Sequence, residues 1–240
     1  MRRRKYVPAG EARAYSTAIE SIHSPMKYLL AAFCVTAFLL TTASAVSEQQ
    51  IVEDSAMIIR RFRNMPETAI PPAVLRDARG LAIIRVVKIG FGLSGKGGQG
   101  VVVARTGNGW SGPSFVGTGG AGFGLQIGAQ LTDFIFVLNT PAAVRAFSYD
   151  SNVTIGADIS AAAGPVGRDL QAGLAPRAAI YTYSQSQGLF AGVSLEGAVI
   201  ATQKTANTCY YGRPVRALSI LRGNVPPPPG ARPLRAALGR

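Results

Sequence analysis

The chain has 240 residues, 48% of them hydrophobic, and its formal net charge is +13. This apolar fraction is typical of a folded domain and argues against a disordered chain. His23 is the single histidine, and Cys34 and Cys209 are the two cysteines. This excludes a histidine-dependent catalytic triad in the main domain, a Cys/His zinc site and a disulfide framework. We therefore expect neither a metal nor a cofactor.

The positive charge is unevenly distributed along the chain. Residues 46–240 carry 19 basic and 10 acidic side chains, with no run of five basic residues among them. An excess of this size favours an anionic partner such as lipid headgroups, nucleic acid or an acidic protein. The basic groups must therefore converge in space to form a binding surface.

The first 45 residues have the pattern of a targeting segment. Lys27 is followed by an apolar run that ends in the small residues Ala43-Ser44-Ala45. These are the parts of a secretory signal peptide, which predicts cleavage after Ala45 and makes Met26 a candidate start. If Met1 is the start, the run is a signal anchor instead, and a third interpretation is an organelle transit peptide. We predict a leader over 1–45 and one domain over 46–240, exported to the periplasm, cell envelope or medium and peripheral at the membrane.

The segment Ser47–Arg63 has the periodicity of a helix with one apolar face. Pro66 and the pair Pro71-Pro72 end it, a short helix follows at Ala73–Ala78, and Leu81–Ile89 has the composition of a buried strand. The apolar face has two interpretations. In the first, which is the commoner arrangement and the one we expect, the face packs on the sheet. In the second, it lies in a lipid interface with Arg60, Arg61, Phe62 and Arg63 at the membrane.

Glycine dominates the next region, since residues 90–128 hold 15 of the 28 glycines. We interpret this region as short strands separated by tight turns or bulges. Further elements are predicted downstream: a strand at Leu131–Leu138, a helix from Thr140-Pro141 through Phe147, strands at Val153–Ala161, Ala178–Ser184 and Leu189–Gln203, a helix at Arg213–Leu221, and a basic helix from the Pro226–Pro229 spacer to Arg240. The predicted fold is α+β, a strongly curved Gly-rich antiparallel sheet or partial barrel with helices at both chain ends.

Several patterns in the sequence are similar to catalytic motifs. The run Gly90–Gly97 is close to a phosphate-binding loop, but it lacks the Ser/Thr that holds Mg²⁺ and no helix follows it. The dinucleotide fingerprint at Gly117–Gly122 also occurs twice more among these glycines, so glycine density alone produces it. Four carboxylates that could in principle pair are expected to be solvated or to cap turns: Asp133, Asp158, Asp169 and Glu196. We predict no catalytic residue and no enzyme activity.

A series of longer motifs is more specific. It comprises Ala78-Arg-Gly-Leu-Ala-Ile83, Lys88-Ile-Gly-Phe91, Gly95-Lys-Gly-Gly98, Gly100-Val-Val-Val-Ala-Arg105, Trp110-Ser-Gly-Pro-Ser114, Gly128-Ala-Gln-Leu-Thr-Asp133, Ala163-Gly-Pro-Val-Gly-Arg168, Thr182-Tyr-Ser184, Gly188-Leu-Phe-Ala-Gly192 through Gly197, Asn207 and Tyr211. Over Ser47–Leu238 the chain resembles the SYLF domain family, which is called the Ysc84-type actin-binding domain in yeast.

The resemblance implies non-enzymatic binding of anionic phospholipids, particularly phosphoinositides, at a membrane surface. Fungal and animal members also bind actin, so a protein-interaction module is the alternative, with actin as the partner only in the cytosol of a eukaryote. The leader is similar to that of the small exported bacterial members. Nucleic acid is disfavoured because the basic residues are not interleaved with aromatic ones.

The basic groups offer a mechanism for lipid binding. Lys88 ends one predicted strand, Lys96 lies in the glycine-rich loop, Arg105 ends the next strand, and Arg168 lies in a second turn. If the two strands form a hairpin, Lys88 and Arg105 share its open end and Lys96 marks its tip. Each basic group near an anionic membrane contributes about 1 kcal/mol. The competing interpretation is that Lys88 or Arg168 pairs internally with an acid.

Overall fold

A computed structural model describes residues 46–65, 70–149, 152–155, 157–164, 178–188 and 199–239. The side chains of 91–94, 121–127, 187 and 188 are outside this description. The predicted leader over 1–45 also lies outside the described residues. No helix in the described ranges combines the length and the apolar character needed to cross a bilayer.

Two helices precede the first strand and three follow the last, while α3 lies between β3 and β4 in the described part of the chain. The bounds of the helices are α1 Glu48–Asn64, α2 Pro72–Asp77, α3 Pro141–Ala146, α4 Lys204–Tyr211, α5 Ala217–Leu221 and α6 Arg232–Leu238, with a 3₁₀ turn at Pro229–Ala231. The bounds of the strands are β1 Gly80–Thr106, β2 Gly109–Trp110, β3 Ser114–Leu138, β4 Asn152–Thr154, β5 Ala161–Ala163, β6 Ile180–Gly188 and β7 Val199–Thr202.

Local signals explain the first helix. The Ser47 hydroxyl caps α1 by accepting from the backbone N–H of Gln50 at 3.2 Å, and Glu48 lies in the first turn near the positive helix end. One face of the helix is buried: Ile51, Val52, Ser55, Ala56, Ile58, Ile59 and Phe62. The prediction of a helix at Ser47–Arg63 that packs on the sheet is confirmed by this burial.

Two long strands form the centre of the sheet. β1 pairs antiparallel with β3 from Gly80 opposite Leu138 to Val102 opposite Ser114, with one irregularity between Phe91 and Leu93. The sheet order is β2-β1-β3-β6-β5, while β7 pairs with the first part of β3 and β4 pairs with β7. β5 and β6 run parallel, and the other strand pairs are antiparallel.

The β1–β3 ribbon folds back on itself. The backbone N–H of Arg105 donates to the carbonyl of Arg79 at 2.8 Å, so the end of β1 meets its beginning. A Cβ added at Gly98 would lie 2.8 Å from the carbonyl oxygen of Arg85, and one added at Gly100 would overlap the carbonyl of Ile83. Glycine is therefore required where the two halves approach each other. The result is a strongly curled mixed sheet, a half-barrel with helices at both ends, as the predicted fold class requires.

Alternating residues of these strands face two separate cores. Leu81, Ile83, Ile135 and Val137 join the cluster that contains the buried face of α1. Ala82, Ile84, Val86, Phe134 and Phe136 join the cluster that contains Phe147 and Leu221. Because both faces are buried, the strands have continuous apolar sequences without a polar alternation.

Some predicted elements are wrong. The glycine-rich region is not a set of short strands, because its residues continue the β1–β3 ladder. The strand at Val153–Ala161 is instead the two short strands β4 and β5. Asp158 separates them by accepting from the Thr154 N–H at 2.7 Å, which confirms the turn-capping role expected of this carboxylate. The helix at Arg213–Leu221 begins only at Ala217, and α4 was not predicted.

Candidate binding site

The structure describes three of the four basic residues that the sequence predicts to form a binding surface. Lys88 and Lys96 lie inside β1, opposite Gln130 and Gly120 of β3, and both are half-buried. Arg105 lies at the end of β1, so no hairpin places Lys88 beside it. The fourth residue, Arg168, lies outside the described residues. A lipid-binding role for these four stays a prediction.

The guanidinium of Arg105 lies over the ring of Trp110, 4.1 Å from its centroid. This is the distance of a cation–π contact. Partial burial lowers the pKa of Arg105, because removing the guanidinium from water disfavours its charged form. The group remains cationic near neutral pH, and the contact fixes its position on the surface.

The arginines of α1 have different environments. Arg60 is exposed, Phe62 is buried in the core, and Arg63 donates through Nη1 to the Ala237 carbonyl at 2.7 Å. Arg61 donates through Nη1 to Asp133 Oδ2 at 3.0 Å. The residues proposed for a membrane-facing helix therefore connect α1 to the rest of the domain, except Arg60.

A network of four charged side chains joins α1 to the sheet. Asp133, with 3% of its side chain exposed, accepts from Arg85 Nε at 2.7 Å and Nη2 at 3.3 Å, as well as from Arg61. Arg85 Nη1 also lies 3.0 Å from Asp54 Oδ2. The hydrogen bond to Asp133 is the largest influence on Arg85 and raises its pKa. The expectation that Asp133 is solvated or caps a turn is therefore wrong.

This network rules out one chemical role for Asp133. Both carboxylate oxygens accept from guanidinium groups, so the lone pairs of Asp133 point at permanent cations. A general base needs a free oxygen within reach of a substrate proton. Asp133 therefore acts as a structural anion. The sequence contained a signal for it, since Asp133 is the single charge of β3 and Arg85 interrupts the apolar run Leu81–Val87 of β1.

A cavity of about 330 Å³ lies between the first half of α1 and β1. Its lining consists of Val46, Ile51, Asp54, Ser55, Ile58, Arg85, Val87 and Gly97–Gln99. Most of these groups are apolar or backbone, and the charged ones, Asp54 and Arg85, are paired with each other. Such a lining suits contact with apolar groups better than bond-breaking chemistry. Within the described ranges, no three His, Cys, Asp or Glu side chains are grouped to hold a metal ion.

Two further motif residues stabilise the loop at 111–114. Asn207 is fully buried, accepts from the Phe115 N–H at 2.9 Å and donates to the Ser114 hydroxyl at 3.4 Å. The Tyr211 hydroxyl donates to the Pro113 carbonyl at 3.0 Å. The side chains of α4 therefore satisfy polar groups where the chain enters β3.

We expect Asn207→Ala to lower the free energy of unfolding by about 1–3 kcal/mol, because it leaves the buried Phe115 N–H without an acceptor. Urea denaturation at neutral pH measures this change. Asn224→Ala, at an exposed asparagine, is the matched control and should change stability by less than about 0.5 kcal/mol. Equal stability of the two variants would contradict the structural role of Asn207.

Comparison with known proteins shows the family to which the chain belongs. The family model for Ysc84, described as a Las17-binding protein actin regulator, matches residues 119–240. LAS seventeen-binding protein 3 of Saccharomyces cerevisiae is 47% identical over 173 residues, which cover 70% of this chain and 38% of the relative. The human SH3 domain-containing YSC84-like protein 1 is 44% identical over 188 residues, which cover 75% of this chain and 55% of the relative. The chain belongs to the Ysc84 (SYLF) family.

Membership in the Ysc84 family confirms the resemblance found in the sequence and corrects the predicted location. The matching relatives are cytosolic proteins of eukaryotes, from yeast to human. The prediction of a protein exported to the periplasm, envelope or medium is therefore wrong, and the relatives give no support for a signal peptide. The family is one of binding modules that regulate actin and is not an enzyme family. The match spans 38% of the length of the yeast relative and 55% of the length of the human relative.

Proposed function

We propose that the chain is a non-catalytic protein-interaction module of the actin-regulating type. The observation that carries this proposal is its identity of 44–47% to proteins named for Las17 binding and for Ysc84. The charged side chains between α1 and the sheet are paired with one another. This pairing supports a binding role without catalysis.

Actin filaments are the more direct partner to test. The match covers 38% of the yeast relative, so the Las17 binding in its name can reside in the unmatched part. The family whose model matches residues 119–240 is described as a Las17-binding protein actin regulator, which names regulation of actin beside Las17 binding. We therefore expect the binding property of this chain to concern actin or a protein bound to it.

Co-sedimentation with preformed actin filaments tests the proposal. The full-length chain should pellet with filaments in a saturable manner and remain in the supernatant without them. A second arm measures capture of the chain by immobilised yeast Las17. Absence of both interactions, in a chain shown to be folded by circular dichroism, would contradict the proposal.

An anionic membrane surface is the second candidate function. The observation favouring it is the excess of 19 basic over 10 acidic side chains after residue 45. We propose Lys88, Lys96, Arg105 and Arg168 as the groups that contact lipid phosphates, with the exposed Arg60 of α1 as an additional cation. Attraction of this kind weakens as salt increases, because mobile ions screen exposed charges.

Charge reversal tests this second function. The double variant Lys96→Glu with Arg168→Glu should bind anionic vesicles at least about tenfold more weakly, given about 1 kcal/mol for each basic group. Arg213→Glu with Arg222→Glu changes the same net charge at two exposed positions and is the control. Equal weakening in the two variants would show attraction by net charge alone. Binding that does not respond to salt would contradict an electrostatic mechanism.

A further inference from the structure

Four consecutive prolines, Pro226–Pro229, lie between α5 and α6, and the last of them begins the 3₁₀ turn. The ring of a proline fixes its φ at about −65°, and a residue that precedes a proline is restricted to an extended ψ. Pro228 has φ −60° and ψ 158°, which are the angles of polyproline II. The stretch 226–228 is therefore a short polyproline II segment.

This segment presents one edge to solvent. Pro226 and Pro229 are exposed, whereas Pro227 and Pro228 are half-buried. A polyproline II helix has about three residues per turn, so the first and fourth prolines lie on the same edge, about 9 Å apart. The two exposed rings form a proline ridge with the spacing of the PxxP motif.

The proline ridge is anchored to the domain at both ends. Val225, before the ridge, is 6% exposed, and Ala231, after it, is fully buried. The Ala231 N–H donates to the Pro228 carbonyl at 3.0 Å. A Cβ added at Gly112 would lie 3.3 Å from the Pro227 Cβ, so Pro227 faces the body of the domain. Because the ridge is already ordered, binding to it costs little conformational entropy.

The charged residues that flank the ridge are arginines. Arg222 follows α5 and Arg232 begins α6, and both are exposed. In the described part of the chain neither of them forms an ion pair with an acid. The whole sequence after Glu196 contains no acidic residue. An acidic surface would therefore complement the charge on both sides of the ridge.

The chemistry of the ridge defines the kind of partner. A polyproline II segment with PxxP spacing is recognised by a groove of aromatic side chains, against which the apolar proline rings pack. SH3, WW and EVH1 domains all have such grooves. SH3 domains place acidic side chains beside the aromatic groove, where they bind a basic residue that flanks the prolines. The flanking arginines therefore favour an SH3 domain over the other two.

We propose that Pro226 and Pro229 form a docking ridge for the aromatic groove of an SH3 domain in a partner protein. Arg222 and Arg232 supply the positive charge that faces the acidic side chains of that domain. The inference goes beyond the proposed function and does not rest on it, because the ridge binds a second kind of partner, which carries an SH3 domain.

The experiment measures binding of the full-length chain to a panel of isolated human SH3 domains by biolayer interferometry, with isolated WW and EVH1 domains beside them. We expect saturable binding to at least one SH3 domain. Pro226→Ala with Pro229→Ala should weaken that binding at least about tenfold, because each substitution removes two ring carbons from the groove. If circular dichroism shows the double variant to be unfolded, Pro226→Ala alone is the test and should also bind more weakly.

The matched control for the ridge is Pro72→Ala with Pro214→Ala, at two exposed prolines outside the run. It should leave the affinity within about twofold of the parent, since neither ring contacts the groove. A second pair of variants tests the charge. Arg222→Gln with Arg232→Gln should weaken binding more than Arg213→Gln with Arg216→Gln, which changes the net charge equally at exposed positions further from the ridge.

Three outcomes would overturn the proposal. They are absence of binding to every SH3 domain in a panel that binds a PxxP peptide, equal affinity of the ridge variant and its proline control, and binding to WW or EVH1 domains alone. Actin filaments are absent from this measurement. Its failure is therefore distinguishable from failure of the filament experiment, which tests the proposed function itself.

Discussion

Asp133→Asn is expected to lower the free energy of unfolding by about 3–5 kcal/mol, the usual cost of removing one partner from a buried ion pair. The amide keeps the shape of the carboxylate but removes the negative charge that faces Arg61 and Arg85. Arg85 is only 23% exposed, so water cannot replace the lost partner fully. Because Arg61 belongs to α1 and Arg85 to β1, the contact between the helix and the sheet weakens. Urea denaturation measures the loss.

The matched control for Asp133 is Asp77→Asn. Asp77 lies 3.7 Å from Arg76, and the two side chains are 79% and 72% exposed. Exposed pairs of this kind contribute about 0–1 kcal/mol, so the control should remain close to the parent. If Asp133→Asn were as stable as Asp77→Asn, the four-residue network would not be what holds α1 in place.

Ile58→Asp combined with Phe62→Asp is expected to unfold most of the protein at room temperature. Both side chains are almost completely buried, with 1% and 2% of their surfaces exposed. Each substitution removes an apolar side chain from the core and places a carboxylate there without a partner, which costs several kcal/mol. The sum is comparable to the whole stability of a typical domain, about 5–15 kcal/mol. Thermal unfolding followed by circular dichroism measures it.

Met57→Asp is the control on the same helix, because Met57 is 46% exposed. We expect its melting temperature to lie within a few degrees of that of the parent. A double variant that remained folded but no longer bound anionic vesicles would contradict the packed position of α1. It would instead place this face of the helix in a lipid interface.

The elements that the sequence predicted well have local signals. Ser47 caps α1 from the adjacent position, and the apolar residues that follow recur with the helical period. Thr140 and Pro141 likewise define the start of α3, where the Thr140 hydroxyl accepts from the Ala143 N–H at 3.1 Å. These features depend on neighbours within four residues, so the sequence alone contains the necessary information.

The features that were missed depend on distant partners. The glycines of 90–128 suggested breaks, but most glycines of β1 and β3 in this range pair with a residue of the other strand, and that ladder maintains the extended backbone. Arg85 and Asp133 are 48 positions apart, so their pairing requires the register of the sheet. Trp110 and Arg235 line the same cavity only because α6 packs beside the β1–β2 turn. Such juxtapositions cannot be derived from the periodicity of one segment.

One competition measurement tests the central proposal, that the chain is a protein-interaction module that binds actin filaments in preference to lipid. The full-length chain is mixed with equal capacities of preformed actin filaments and anionic phospholipid vesicles at physiological salt. Density centrifugation then separates filaments, which pellet, from vesicles, which float. The account predicts that the chain pellets with the filaments and that adding vesicles does not remove it. Recovery of the chain with the floating vesicles, and none with the filaments, would contradict the claim.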